Sequence, residues 1–166
     1  CVLYIEGDNG ANDYVEVAFK PHLDIQFNNG TYSRYETNRK FRDSSAWYHI
    51  VYRQDTTQST AANRHILYVN GTATDNGTYA ALDQNVAFAY FYNASSYPFA
   101  IANDERDNSY GAFYIAEHHY TDGVSNGPDS FGETNTNGVW IPKQYTGSHG
   151  SYGHYLKFEN SGGGSG

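Results

Sequence analysis

The feature that most constrains this chain is a repeated alternation of apolar and polar residues in short runs rich in aromatic and β-branched types. Such period-two runs are typical of strands with one buried face. The runs cover residues 14–19, 23–27, 32–37, 47–53, 65–69, 86–91, 99–102, 113–120 and 155–158. Because no stretch carries a helical apolar stripe, the sequence predicts an all-β chain.

Asn-Gly pairs fall mostly between these runs and predict tight turns, since Asn and Gly readily adopt the positive φ angles of two-residue hairpins. The pairs are at residues 9–10, 29–30, 70–71, 76–77, 126–127 and 137–138. Many short strands with frequent turns favour a two-sheet antiparallel jelly-roll sandwich over a closed barrel. We expect one domain over residues 1–160, followed by a flexible Gly/Ser tail at 161–166.

Composition restricts the classes of partner and the environments that this chain can have. The chain of 166 residues has 10 Lys and Arg against 18 Asp and Glu, a net charge of -8, which argues against a nucleic-acid partner. Its longest nearly apolar run, 86–92, is far shorter than the roughly 20 residues of a membrane-spanning helix. Seventeen Tyr and two Trp supply apolar area for a core and leave rings for the surface.

The ends of the sequence give two further expectations. Because no methionine occurs, we expect the chain to be part of a longer product. Cys1 is the single cysteine and makes no intrachain disulfide; lipid acylation at Cys1 is the alternative to residues 2–6 forming a strand.

Three central segments resemble the signature of laminin-G-like, concanavalin-A-like sandwich domains: 47–52 (WYHIVY), 55–58 (DTTQ) and 67–71 (LYVNG). Segments 111–123, 129–133 and 138–143 are similar to the closing half of such modules in bacteriophage virion and tail-associated proteins. The resemblance covers residues 2–158. The residues that carry it are Trp47, His49, Tyr68, Asn70, Gly71, Glu117 and Trp140.

The family usually has an opening strand and a Trp-containing strand at the front, so the resemblance implies a sandwich that lacks its usual N-terminal strands. Such a sandwich exposes unpaired backbone groups beside an apolar core. We expect a homo-oligomer or filament formed by strand exchange, with residues 2–6 or 155–158 as the donor. The alternatives are front strands in a longer polypeptide and closure by a different local strand.

Catalysis is not expected. Some concanavalin-A-like sandwiches cleave glycans with a Glu-x-Asp-x-x-Glu strand, and residues 6–11 (EGDNGA) lack its last Glu. The sequence also lacks a nucleophile elbow, a phosphate-binding loop and zinc-ligand spacing, so we expect no enzyme.

The resemblance implies no cofactor other than one calcium ion at the rim, bound by carboxylate, amide and backbone oxygens. The leading loop holds Asn103, Asp104, Glu105, Asp107 and Asn108, and a second loop holds Asp8, Asn9, Asn12 and Asp13. The alternative is that both acidic loops are merely solvated.

His118 and His119 suggest a metal site, but adjacent strand residues point to opposite faces. Glu117 and His119 share a face, where a cross-strand hydrogen-bonded pair is preferred over a metal site. His49 is interpreted as a hydrogen-bonded strand histidine.

Carbohydrate enters the predictions in two ways. Lectin-like binding by aromatic and amide side chains is assigned to Tyr92, Asn93, Tyr97 and Tyr110. Asn-x-Ser/Thr sequons make Asn29, Asn70, Asn76 and Asn93 glycosylation candidates, with turn composition as the alternative explanation.

Two functions follow. The first is a non-catalytic structural module of an extracellular or virion-associated assembly, a tail appendage or filament subunit that self-associates through its sandwich edges. The second is a lectin-like adhesion module that binds a cell-surface glycan.

Overall fold

The computed structural model describes residues 13–19, 22–29, 32–86, 101, 103–104, 109–110 and 113–159. The described chain is mostly β-strand in antiparallel sheets, with two short 3-10 turns at Ala61–Asn63 and Pro128–Ser130. The predicted all-β class is therefore confirmed. None of the described helical turns is long and apolar enough to cross a membrane.

The strands follow one another in chain order. They are β1 Asp13–Phe19, β2 His22–Asn29, β3 Tyr32–Lys40, β4 Ile50–Gln54, β5 His65–Val69, β6 Thr72–Ala73, β7 Asn76–Ala80, β8 Asn103–Asp104, β9 Ser109–Tyr110, β10 His118–Tyr120, β11 Gly132–Thr134, β12 Trp140–Pro142 and β13 His154–Leu156.

These strands form a four-stranded sheet in the order β1-β2-β3-β7 and a three-stranded sheet in the order β4-β5-β6. Three two-stranded sheets, β8-β9, β10-β13 and β11-β12, complete the described part. We call residues 13–86 the amino-terminal region and residues 113–159 the carboxy-terminal region.

The core lies in the amino-terminal region, and the two larger sheets share it. Alternation along β2 directs Leu23, Ile25 and Phe27 inward, and all three are almost fully buried. The other members of the core are Val17, Tyr35, Leu67 and Leu82. The ring of Phe27 stacks on Tyr52 of β4 at 5.6 Å between centroids, which joins the two sheets.

The Asn70-Gly71 turn forms as the sequence predicts. Asn70 has φ of 50° and Gly71 has φ of 78°, and Val69 pairs directly with Thr72 across the turn. Two consecutive positive φ angles match the twist of a tight two-residue hairpin.

The predicted turn at Asn76-Gly77 is wrong, because both residues lie in β7. In the pairing with β3, Glu36 faces Thr78 and Thr37 faces Asn76, so Gly77 is the extra residue of an irregularity. A glycine is well suited to such a bulge, and the Asn-Gly pattern has this second use.

Two predicted strands begin later than expected. The run 47–53 becomes a strand only at Ile50, because the partner strand ends at Val69 before the turn. The run 113–120 is strand only over His118–Tyr120, and Glu117 before it has φ of 53°, which interrupts an extended backbone.

Other runs are shifted or lie largely outside the description. The last run, 155–158, is strand over His154–Leu156. Val86 is not in a strand, and residues 87–91 lie outside the described residues, as do 99, 100 and 102.

Candidate functional site

Four of the residues that carry the family resemblance meet at one place, where β4, the turn after β5 and β12 come together. The backbone N–H of His49 donates to Oδ1 of Asn70 at 2.9 Å, and the N–H of Asn70 donates to the carbonyl of His49 at 2.8 Å. The indole Nε1–H of Trp140 donates to Nδ1 of His49 at 3.0 Å. An indole nitrogen only donates, so this bond assigns the proton of neutral His49 to Nε2.

Two glycines lie directly against the indole ring of Trp140. A β-carbon on Gly71 or on Gly132 would overlap atoms of the indole ring. Burial lowers the pKa of His49, and the charge of Glu117 opposes this shift. Because the net shift is downward, the ring stays neutral and its Nδ1 can accept from the indole. We call His49, Asn70, Gly71, Gly132 and Trp140 the tryptophan clasp; it joins the two regions.

The other resemblance residues are not members of the clasp. Trp47 is 67% exposed, and Tyr68 is half-buried near the end of β5. Glu117 immediately precedes β10 and belongs to a second group of side chains.

That second group surrounds His119 on one face of the β10-β13 sheet. The ring of His119 stacks on Tyr155, its cross-strand partner, with centroids 4.2 Å apart and planes 9° from parallel. Nδ1 of His119 lies 3.1 Å from Nε2 of His149. Phe131 and Tyr145 complete the group, stacked on each other at 4.8 Å. We call His119, Phe131, Tyr145, His149 and Tyr155 the histidine cluster.

One carboxylate, that of Glu117, contacts the histidine cluster. The hydroxyl of Tyr155 donates to Oε1 of Glu117 at 3.4 Å. Burial lowers the pKa of His119, the charge of His149 adds to this, and the charge of Glu117 opposes it. Glu117 thus forms a hydrogen bond to Tyr155 of β13, the cross-strand partner of His119.

His118 lies on the opposite face of the same strand, as alternation requires. Its ring stacks on His154 at 5.3 Å, with the planes 17° from parallel. Burial lowers the pKa of His118 to about 4, and the charges of His154 and His119 act in the same direction. The two adjacent histidines therefore take part in different side-chain groups.

A third group lies on the polar face of the four-stranded sheet. Nε and Nη2 of Arg34 donate to the two carboxylate oxygens of Asp24, at 2.8 and 2.9 Å, and Asp24 is fully buried. Arg34 also pairs with Glu36, which lies 3.6 Å from His22. His22, Asp24 and Glu36 are close enough together to hold a cation, and the guanidinium already supplies the positive charge there.

Sequence reasoning missed the third group and two members of the histidine cluster, His149 and Tyr145. For Asp24 and Arg34 a signal existed, since their positions in two consecutive alternating runs place both on the polar faces of neighbouring strands. For His149 and Tyr145 none existed, because both lie in irregular segments whose path the alternation does not define.

The calcium and glycan predictions fall mostly outside the described residues. Asn103 and Asp104 form β8, whereas Glu105, Asp107 and Asn108 lie outside the described residues. Of the second loop, Asp13 begins β1 and the other three residues are not described. Tyr92, Asn93 and Tyr97 also lie outside, whereas Tyr110 is in β9, paired with Asn103. All of these assignments stay predictions.

Three sequon asparagines have a described backbone. Asn29 ends β2, Asn76 begins β7, and Asn70 is exposed in its turn with its side-chain oxygen bound to His49. Use of the sequons stays a prediction, as does the absence of catalysis; Glu6 and Asp8 lie outside the described residues.

A shallow polar depression adjoins the histidine cluster. Its lining consists of Asn126, Ser130, Lys143, Gln144, Tyr145, Thr146 and Gly147. The amide of Asn126 donates to the hydroxyl of Tyr145 at 3.1 Å, which in turn donates to the carbonyl of Ser148 at 2.8 Å. Amide and hydroxyl groups at an open surface are suited to hydrogen bonding with a polar ligand.

Comparison with known proteins identifies no relative: no family model, no curated protein and no solved structure matches this chain.

Proposed function

We propose that this chain is a non-catalytic structural module of an extracellular or virion-associated assembly, and that it self-associates through β13. The observation that carries the proposal is the exposure of apolar side chains on and just after this strand. Tyr155, Leu156 and Phe158 are 36%, 39% and 46% exposed. Tyr155 and Leu156 lie on opposite faces of β13, so both faces of this strand offer apolar surface. Exposed apolar side chains on an edge strand favour contact with another macromolecule.

The position of β13 favours strand addition as the form of that contact. In the part of the chain that the structure describes, β13 pairs only with β10, so this small sheet has an outer edge on each side. A strand added at such an edge gains backbone hydrogen bonds and buries alternate side chains. A donor and an acceptor on different faces give a heterologous contact, which propagates into a filament unless it closes as a ring.

The carboxy-terminal region exposes two further aromatic side chains. Tyr114 is 91% exposed and Tyr152 is 50% exposed, both in the carboxy-terminal region. Aromatic side chains are enriched in protein interfaces, because they bury a large area for few rotatable bonds. A second copy of this chain is the occupant to which the proposal commits.

The finer fold belongs to the same proposal. A jelly-roll sandwich of the concanavalin-A-like type is supported by the antiparallel pairing of all described strands and by the core that the two larger sheets share. The laminin-G-like segments of the sequence support the extracellular or virion-associated setting.

The prominent titratable groups support a non-catalytic role because their contacts stabilise structure. Asp24 is bound by Arg34, His49 accepts from Trp140, and His65 is fully buried among core rings.

Sedimentation velocity over a range of concentrations tests the self-association. We expect the chain to assemble as concentration rises, and to do so more strongly at high salt, because copies with a net charge of -8 repel one another. Leu156→Glu should abolish assembly, whereas Val124→Glu, at a residue 49% exposed outside the strands, should leave it intact. A monomer at every concentration, or equal effects of the two variants, would contradict the proposal.

A lectin-like adhesion module is the second candidate, and the polar depression is the observation that favours it. A glycan array distinguishes the two functions. Saturable binding of one sugar class that is lost in Gln144→Ala, at the rim of the depression, supports the lectin. Assembly without any sugar supports the structural module.

A further inference from the structure

The pair of ring nitrogens inside the histidine cluster has the spacing of two ligands on one metal ion. Nδ1 of His119 and Nε2 of His149 are 3.1 Å apart, and the rings are 6° from parallel. With zinc–nitrogen bonds of about 2.0–2.1 Å, this separation gives a ligand–metal–ligand angle of roughly 100°, close to tetrahedral. Both side chains are only partly buried, so an ion from solution can reach them.

Neighbouring rings hold both imidazoles in place. Tyr155 stacks on His119, and Tyr145 contacts both histidines edge-on, at 5.8 and 5.1 Å between centroids. Phe131 packs against His119 from another direction, at 5.4 Å. Ligands whose orientation is fixed beforehand lose little conformational freedom when a metal binds.

We propose that His119 and His149 form a two-histidine site for one divalent transition-metal ion of the zinc, copper and nickel class. The ion takes the place of the hydrogen bond between the two nitrogens. The ring that donates this hydrogen bond moves the proton to its other ring nitrogen, so both rings coordinate as neutral imidazoles. Imidazole nitrogen suits these metals, whereas calcium and magnesium require oxygen ligands. Water completes the coordination, because no third histidine, cysteine or carboxylate among the described residues clusters with these two nitrogens.

Glu117 supports the site without being a ligand. Its carboxylate accepts the hydroxyl of Tyr155, the same ring that stacks on His119. The negative charge of this carboxylate beside His119 favours a bound cation. The net charge of -8 acts in the same direction at longer range.

One other group of potential ligands is less suitable. At His22, Asp24 and Glu36 the guanidinium of Arg34 occupies the acidic oxygens, so a cation there would compete with a buried ion pair.

Titration of the full chain with ZnCl₂ in a calorimeter tests the proposal. We expect one equivalent to bind, and His149→Gln to weaken binding by about tenfold or more, since one of two protein ligands is lost. The matched controls His22→Gln and His154→Gln should bind as the unchanged chain does, and calcium should not bind at this site. Absence of saturable binding, or loss in His154→Gln instead of His149→Gln, overturns the proposal.

Electron paramagnetic resonance of the unchanged chain with one equivalent of Cu²⁺ keeps the test independent of any variant. Two coordinated imidazole nitrogens are expected in the spectrum. A spectrum with one nitrogen, or with oxygen ligands alone, overturns the proposal. The result does not depend on self-association, so failure of the metal site leaves the proposed function standing, and the reverse also holds.

Discussion

The amino-terminal and carboxy-terminal regions reach an ordered structure by different means. In the first, side chains such as Leu23, Ile25 and Phe27 are almost completely removed from water. In the second, Pro128 and Gly132 are the buried residues among 113–159, and the larger apolar side chains stay half-buried or exposed. The contrast shows that stacked rings and hydrogen bonds organise the carboxy-terminal region, which leaves apolar surface for a partner.

Truncation of one large side chain in each region should give the largest difference in stability loss between the two regions. Phe27→Ala removes a buried ring that stacks on Tyr52 and should lower the free energy of unfolding by about 3–5 kcal/mol. Leu156→Ala, at a side chain 39% exposed, should cost less than about 1 kcal/mol. Urea denaturation measures both values, and similar losses would contradict the contrast.

Loss of the ion pair in the amino-terminal region should have the next largest effect. Arg34→Gln leaves the fully buried carboxylate of Asp24 without its bidentate partner and should cost about 3 kcal/mol. The double variant Asp24→Asn with Arg34→Gln should recover part of that loss, because the buried charge is then absent. A single variant as stable as the unchanged chain would show that water reaches Asp24.

Acid should weaken the amino-terminal region through His65, which is fully buried. Burial lowers the pKa of His65 to about 4, below its ordinary value of 6.5. Between these values the unfolded chain binds a proton that the folded chain excludes, so stability falls as pH falls from 6.5 to 4, by up to about 3 kcal/mol. Below pH 4 this group causes no further loss.

Urea denaturation at several pH values, with the unchanged chain and His65→Leu compared, isolates this contribution. The difference in stability between the two proteins should change across the pH range 4–6.5 and level off on either side. A constant difference would show that His65 does not titrate in this way.

Two glycines with the same backbone conformation distinguish the stability contributed by packing in the clasp from the cost of backbone strain. Gly71 has φ of +78° and Gly138 has φ of +76°, but a β-carbon would meet the indole ring only at Gly71. Gly138→Ala should cost roughly 1–2 kcal/mol for the left-handed backbone alone. Gly71→Ala should cost about 1–3 kcal/mol more, because Trp140 must move. Equal thermal shifts for the two variants would contradict the clasp packing.

How much the sequence predicts follows the same division between regions. Alternation predicts β2 and β5 closely, because both strands bury one complete face. It overextends the run 113–120, where Phe113 and Tyr114 are exposed and the backbone at Glu117 interrupts the strand. An alternating apolar pattern predicts a strand correctly only where its apolar face packs against a core or its backbone pairs with another strand.

The clasp was accessible to sequence reasoning in part. The resemblance singled out His49, Asn70, Gly71 and Trp140, and these residues meet in space. Gly132 lies in segment 129–133 of the resemblance, but its close approach to Trp140 depends on the β11-β12 pairing and does not follow from the sequence. The pairing of His119 with His149 depends on an irregular segment and could not be derived from spacing alone.

Hydrogen exchange measured by mass spectrometry tests most directly whether the carboxy-terminal region depends on the clasp. Trp140→Ala is compared with the unchanged chain and with Trp47→Ala, which alters the other tryptophan, 67% exposed. We predict that Trp140→Ala speeds exchange in strands β10, β11, β12 and β13 by about tenfold or more and leaves the exchange rates of β2, β3 and β5 within about twofold. Trp47→Ala should change the exchange rates of neither set of strands. Equal acceleration in both regions, or unchanged protection of β10–β13, would contradict the account.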